Sequence, residues 1–180
     1  MLEDRILVWK ARSGDADGLR AIYEKYKDDL LSIGVALLHN VSDAEDVLHE
    51  VFVDFAKGIN EFRLYGSLRK YLTKCMVNRI HDRWRSKLYE VREVERRPKL
   101  DSRQKLPEEE AMEAEAAERM TEALGRLPFQ QREVVVLHLL GDMKFREIAA
   151  VQDVSINTAQ SRYRYGLEKL KAVLESEFLE

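Results

Sequence analysis

The four histidines, His39, His49, His81 and His138, and the single cysteine, Cys75, are the side chains most able to ligate a metal or attack a substrate. None stands at metal-ligand spacing with another or with acids. No glycine-rich phosphate loop, nucleophile elbow or acid pair occurs. The expectation is a chain with no catalytic group, no metal and no cofactor, in which His138, on an apolar helix, is simply packed. The chemistry on offer is recognition. Between Phe62 and Arg92 stand nine Lys or Arg and two acids, Asp82 and Glu90. Rotating 100° per residue places Lys70, Lys74, Asn78, His81 and Arg85 in one narrow sector, with Leu68, Leu72, Cys75 and Met76 roughly opposite. Phe62 and Tyr65 precede this stretch beside Gly66, and Tyr71 and Trp84 lie on it. Cations hold a nucleic-acid backbone and rings stack on unpaired bases, at about 1–3 kcal/mol per base, comparable to unstacking one. Such a surface can keep a base out of the duplex. The plainer alternative is a solvated basic face with Tyr71 and Trp84 in the core; Phe62 and Tyr65, in a loop, have less to pack against.

A second group sits near the C-terminus. With Ser155 as N-cap, Ile156, Ala159, Tyr163, Leu167, Leu170 and Leu174 share one face of a helix. Asn157, Ser161, Arg164 and Glu168 share the other, with Gln160 and Tyr165 at its margins. Polar groups at the N-terminal end and an apolar back are the arrangement of a helix that enters the major groove. The short helix before it ends in Val151-Gln152-Asp153-Val154, where Asp153 stands at a position that needs left-handed backbone, which Asp tolerates better than most. Phe145 to Tyr165 therefore reads as a helix-turn-helix.

Positioning these faces requires helices, and the composition favours them. The 180 residues include only three prolines and eight glycines, and β-branched alternation is scarce. Helices are expected at Leu2–Ala11, Ala16–His39, Ser42–Gly58 (opened by the capping box Ser42-Asp43-Ala44-Glu45), Ser67–Tyr89, Ala111–Leu127, Pro128–Leu140, Lys144–Gln152 and Ser155–Phe178. The fold class is all-α, as two small helical domains, 1–91 and 118–180, joined by a flexible acidic linker, 92–117. The linker holds Pro98 and Pro107. Glu108, Glu109, Glu110, Glu113, Glu115 and Glu118 follow without a basic residue, turning helical near Glu109. That run either occupies a channel built for nucleic acid or is a solvated spacer.

The net charge of −3 excludes a uniformly basic DNA-coating protein, so any nucleic-acid site is a local patch. Two weak patches act together only if a shared partner makes their binding effectively intramolecular. Cys75 cannot form an internal disulfide and reads as a buried thiol in a reducing cytosol. The longest apolar stretch, Leu30 to Leu38, is about half a membrane span. With no signal pattern at the N-terminus, the expectation is a cytoplasmic protein without membrane insertion.

These residues resemble the extracytoplasmic-function (ECF) sigma factors, the small two-domain branch of the sigma-70 family. The likeness covers about residues 5–90 and 118–175. Gly14-Asp15, Tyr23, Tyr26 and Asp43-Ala44-Glu45-Asp46-Val47-Leu48-His49-Glu50-Val51-Phe52 resemble the polymerase-binding segment. Tyr71-Leu72, Asn78, Asp82 and Arg85 resemble the −10-reading helix. Leu127-Pro128, Arg132-Glu133-Val134, Glu147-Ile148-Ala149 and Thr158-Ala159-Gln160-Ser161-Arg162 resemble the −35-reading helix-turn-helix.

The resemblance implies that Asp46, His49, Glu50 and Val53 dock on the clamp of core RNA polymerase. It implies that Phe62 to Ser67, with Tyr65, capture a flipped −10 base, and that Lys70, Lys74, Asn78, His81 and Arg85 line the separated strand. Asn157, Gln160, Ser161, Arg164 and Tyr165 would face duplex −35 DNA, with Arg162 nearer a phosphate or structural. An anti-sigma protein is a further implied partner. The chain departs from the family at His49, where Gln is usual, at Gln160 and Tyr165, often basic, and at Gln152-Asp153, usually an apolar residue and Gly. The implied function is promoter recognition and strand opening. The runner-up is a helix-turn-helix activator with a sensory N-terminal domain, which would have no use for the Phe62–Arg92 patch. An enzyme lacks its residues here, and a purely structural adaptor would need neither DNA-like face.

Overall fold

A computed structural model of the chain describes residues 2–90 and 108–177, with side chains described for 2–85 and 115–176. Among the described residues there are eight helices and no strand: α1 (Leu2–Arg12), α2 (Ala16–Leu38), α3 (Val41–Gly58), α4 (Leu68–Glu90), α5 (Glu108–Gly125), α6 (Phe129–Leu139), α7 (Phe145–Val151) and α8 (Ile156–Glu177). The expected all-α class is the observed one. The chain divides into two compact units, Met1–Gly34 with Val41–Arg96, and Val35–Asn40 with Arg97–Glu180. Residues 91–107, most of the expected linker, lie outside the described residues, as does Phe178. The last positions of that linker already belong to α5, which opens at Glu108.

The first unit is built on apolar periodicity. Ala44, Val47, Leu48, Val51, Phe52 and Phe55 form the buried stripe of α3. It packs on α4, whose Leu68, Leu72, Met76, Val77 and Ile80 are also buried; Ile22, Leu30 and Ile33 of α2 are buried too, and Tyr23 of α2 meets Phe52 edge-on at 4.9 Å. Gly34 permits a close approach of these helices: a Cβ there would meet Met76 Cε at 2.5 Å and Ala44 Cβ at 3.0 Å. Helix α3 begins at Val41, so Ser42 stands inside the first turn and does not cap it; Asn40, a residue type as good at the cap as Ser, precedes it. Helix α1 is tied to α2 by buried Asp4, which accepts from Tyr26 Oη at 2.6 Å and Lys25 Nζ at 2.9 Å. Burial alone would raise the Asp4 pKa, but those two bonds and the Lys25 charge outweigh it and hold the carboxyl below its ordinary value. Cys75 is half-buried beside Tyr71, not in the core as expected, and burial still pushes its thiol pKa up.

The second unit buries Ala123, Leu124 and Leu127 of α5 and its following turn, Val134 to Leu137 of α6, Ile148 and Ala149 of α7, and Ala159 and Leu170 of α8. Gly166 permits the α6–α8 approach, since a Cβ there would lie 2.9 Å from Val135 Cγ2 and 3.2 Å from the Gln131 carbonyl. The α7–α8 turn is the expected one: Asp153 has φ 52°, and Val154 N–H donates back to Ala149 O at 3.0 Å. Ser155 Oγ accepts from Thr158 N–H at 3.1 Å, the cap expected from the sequence. Between α6 and α7 the left-handed residue is Asp142, one position after the expected stop at Gly141. His138 is packed, its ring stacked on Phe145 at 4.4 Å and edge-on to Tyr163 at 4.9 Å, with Nδ1 2.9 Å from Met143 O.

Candidate nucleic-acid and polymerase interfaces

In the first unit, residues 59–67 leave α3 and turn back into α4. The sequence grouped Phe62 and Tyr65 together, and the fold separates them. Phe62 is half-buried, with its ring 5.2 Å from Phe55 and 4.7 Å from Tyr71. It anchors the loop. Tyr65 is 89% exposed. Beneath it lies an open hollow of about 580 Å³, lined by Phe62, Arg63, Leu64, Gly66, Ser67 and Tyr71 among others. A planar base is within the size range such hollows accept. Tyr71 and Trp84 are not core residues: they are 40% and 38% exposed, and Tyr71 packs its ring on Phe55 and Phe62.

Along α4, Lys74, Asn78 and Arg85 are exposed, and Lys70 and His81 are half-buried. Helix α4 runs unbroken through all five positions, so their spacing keeps them on one side of it. The positive charge of this helix is smaller than the residue count implied, because three arginines turn to the other side and are neutralised. Arg69 pairs with Asp29 of α2 at 2.8 Å. Arg79 pairs with Asp54 and, at 3.4 Å, with Glu50. Arg83 pairs with Glu50 at 2.8 Å and lies 3.8 Å from Asp43 and 3.9 Å from Asp46. Glu50, read from the sequence as a docking acid, is therefore part of the α3–α4 seam. Asp46 is mostly exposed and at the edge of that network, His49 is exposed, and Val53 is half-buried. Asp46 and His49 line a groove of about 350 Å³ between α2 and α3 with Tyr23, Lys27, Leu31 and Leu48; Glu50 and Val53 lie outside it. The matched spacing of Glu50 with Asp54, and of Arg79 with Arg83, was the available signal for this seam.

In the second unit, Asn157, Gln160, Arg164 and Tyr165 are exposed on α8, and Ser161 is half-buried. The Arg164 guanidinium sits 5.0 Å over the Tyr165 ring, which orders both at the surface. Arg162 is expected from the sequence near a phosphate or in a structural role. It is half-buried, and its Nη1 donates to Gln152 Oε1 at 2.9 Å, so it belongs with the scaffold. Gln152 Nε2 in turn donates to the Gln130 carbonyl at 2.9 Å and to buried Glu133 Oε2 at 2.8 Å. One amide side chain thus joins α6, the turn and the outer helix. No group of His, Cys, Asp or Glu among the described residues could hold a metal ion. No helix among them is long and apolar enough to cross a membrane.

Two family models match the chain, one described as Sigma-70 region 2 over residues 22–88 and one as Sigma-70, region 4 over residues 117–170. Both belong to one class of transcription initiation factor. Among curated proteins, the ECF RNA polymerase sigma factor SigW of Bacillus subtilis is 26% identical over 183 residues, covering 97% of each chain. The ECF RNA polymerase sigma-E factor of Escherichia coli is 23% identical over 176 residues, covering 89% of this chain and 88% of its own. Two solved structures share the fold. CnrH, in complex with the cytosolic domain of CnrY, gives a TM-score of 0.66 at 24% identity, covering 97% of this chain and 98% of that one. RpoE of Bartonella quintana, in complex with the anti-sigma factor NepR, gives 0.68 at 17% identity, covering 87% and 96%. The chain belongs to the sigma-70 family, as an RNA polymerase sigma factor of the extracytoplasmic-function type.

Proposed function

We propose that this sigma factor divides its promoter work between the two faces described above. Residues 1–91 act as the domain that joins core polymerase and holds the melted −10 strand, and 118–180 as the domain that reads the duplex −35 element, with 92–117 connecting them. Tyr65 stacks on a base extruded into the hollow of the Phe62–Ser67 loop, while Lys70, Lys74, Asn78, His81 and Arg85 track the strand. Asn157, Gln160, Ser161, Arg164 and Tyr165 face the −35 major groove. Asp46 and His49, with the α2–α3 groove, carry the contact with polymerase; Glu50 supports them from behind and Val53 borders them. The observation that carries this reading is Tyr65 itself: a large ring left 89% exposed over a base-sized hollow, at the foot of a helix face bearing Lys74, Asn78 and Arg85.

A chain with net charge −3 gains little from counterion release on duplex DNA alone, so polymerase must present both faces to the promoter. The chain works in the cytoplasm, where its polymerase is, and contributes binding, not catalysis. CnrH was solved with the cytosolic domain of CnrY and RpoE with the anti-sigma factor NepR; we extend to this chain an anti-sigma partner. Transcription in vitro with core polymerase and fragmented genomic DNA tests the assignment. Start sites that appear only with this chain are expected. Arg85→Glu should remove opening but not polymerase binding, and Arg164→Ala should cost about 1–3 kcal/mol and relax preference at one upstream base pair. A chain that neither joins polymerase nor changes where it initiates overturns the reading.

A further inference from the structure

Three arginines of the first unit converge without a counterion. Arg5 and Arg12, one above the other on α1, and Arg63, from the loop, line a cleft with Trp9, Val8 and Phe62. All three arginines are exposed, and none has an ion-pair partner among the described residues. That contrasts with Arg69, Arg79 and Arg83, each of which faces a carboxylate. A cluster of like charges is held together here at an electrostatic cost, which an arriving anion removes. Trp9 is 67% exposed at its rim, although the neighbouring Val8 is buried. The cleft measures about 170 Å³, room for a phosphate or a single small ring and not for a nucleotide. Any base that comes with the phosphate must therefore lie outside it, against the open face of Trp9. Phe62, Arg63 and Leu64 line both this cleft and the hollow of the Tyr65 loop, so the two lie against the same short stretch of chain.

We propose that the α1 cleft binds the nucleotide next to the captured one on the same unpaired DNA strand, with Arg5, Arg12 and Arg63 on the backbone phosphates and Trp9 stacked on the base. The proposal rests on the reading of the Phe62–Ser67 loop as the capture site and extends that site by one step. Arginines along a backbone with an aromatic platform beside them are the general design for single-strand binding.

The test uses holoenzyme assembled from core polymerase and the full chain, binding fork DNA that carries the unpaired strand. Trp9→Ala should weaken binding about tenfold, the value of one base stack. An abasic nucleotide at one of the two positions flanking the captured base should cost the wild type a similar factor and cost Trp9→Ala nothing further. Arg5→Ala with Arg12→Ala should flatten the salt dependence by about 1.4 in log–log slope, two phosphates' worth on a single strand. Wild-type fork binding by these variants overturns the proposal. So does an equal loss on fully duplex DNA, and so does weakened joining to core polymerase, which would make the cleft a protein contact. Tyr65→Ala is run beside them. If it weakens fork binding while the α1 variants do not, only the extension falls; if it has no effect, the capture-loop reading falls with it.

Discussion

Truncating the two loop aromatics separately should give opposite results, because the fold gives them opposite surroundings. Phe62 buries roughly two-thirds or more of the ~200 Å² that a phenylalanine side chain presents; allowing for the Cβ that alanine keeps, the loss on truncation is worth ~2.5 kcal/mol at ~25 cal/mol/Å². Its edge-on contact with Phe55 and tilted contact with Tyr71 add roughly 0.5–1.5 kcal/mol. Phe62→Ala should therefore destabilise the first unit by about 3 kcal/mol. At a urea dependence of about 1–3 kcal/mol/M, the unfolding midpoint would fall by about 1–3 M. Tyr65 is 89% exposed, so Tyr65→Ala should move stability by no more than about 0.5 kcal/mol. Its cost should appear in strand capture, about 1–3 kcal/mol, or roughly five- to 150-fold in the affinity of holoenzyme for fork DNA. Urea titration followed by circular dichroism and fork-binding titrations measure the two effects independently. The reasoning is refuted if Phe62→Ala unfolds at the wild-type midpoint, or if Tyr65→Ala lowers stability as much as Phe62→Ala does.

Two further outcomes follow from buried polar groups. The Asp4 pKa is depressed by its bonds from Tyr26 and Lys25, so its contribution is fully present above the ordinary carboxyl value of 3.8 and is lost as pH falls through the lower folded value. The stability gap between wild type and Asp4→Asn, read by urea titration, should be constant near neutrality and close only below about pH 3.8; a gap that closes near pH 6 would point to a histidine instead. Gln152→Ala should leave Glu133 buried without that donor and free Arg162, at a cost of about 1–3 kcal/mol in the stability of the second unit. Thermal unfolding would show it, and a neutral result would mean that the amide network adds nothing to the fold.

The helical class, the places where most helices start and stop, the left-handed Asp153 and the polar face of α8 were all readable from the residues in order. Each depends on neighbours within four or five positions, through periodicity, capping or a single φ angle, and such signals survive without knowledge of the fold. Only the tertiary structure decided which of the charged and aromatic residues remain available. Arg83 and Glu50 are 33 residues apart, and Arg162 is separated from Gln152 by a turn, so nothing local showed that these pairs satisfy one another. Phe62 and Tyr65 are chemically alike and three positions apart, yet packing against Phe55 and Tyr71 takes one inward and leaves the other in solvent. Arg5, Arg12 and Arg63 became a single surface for the same reason: a charge is available when nothing nearby cancels it, and what is nearby is set by the packing of helices distant in the chain.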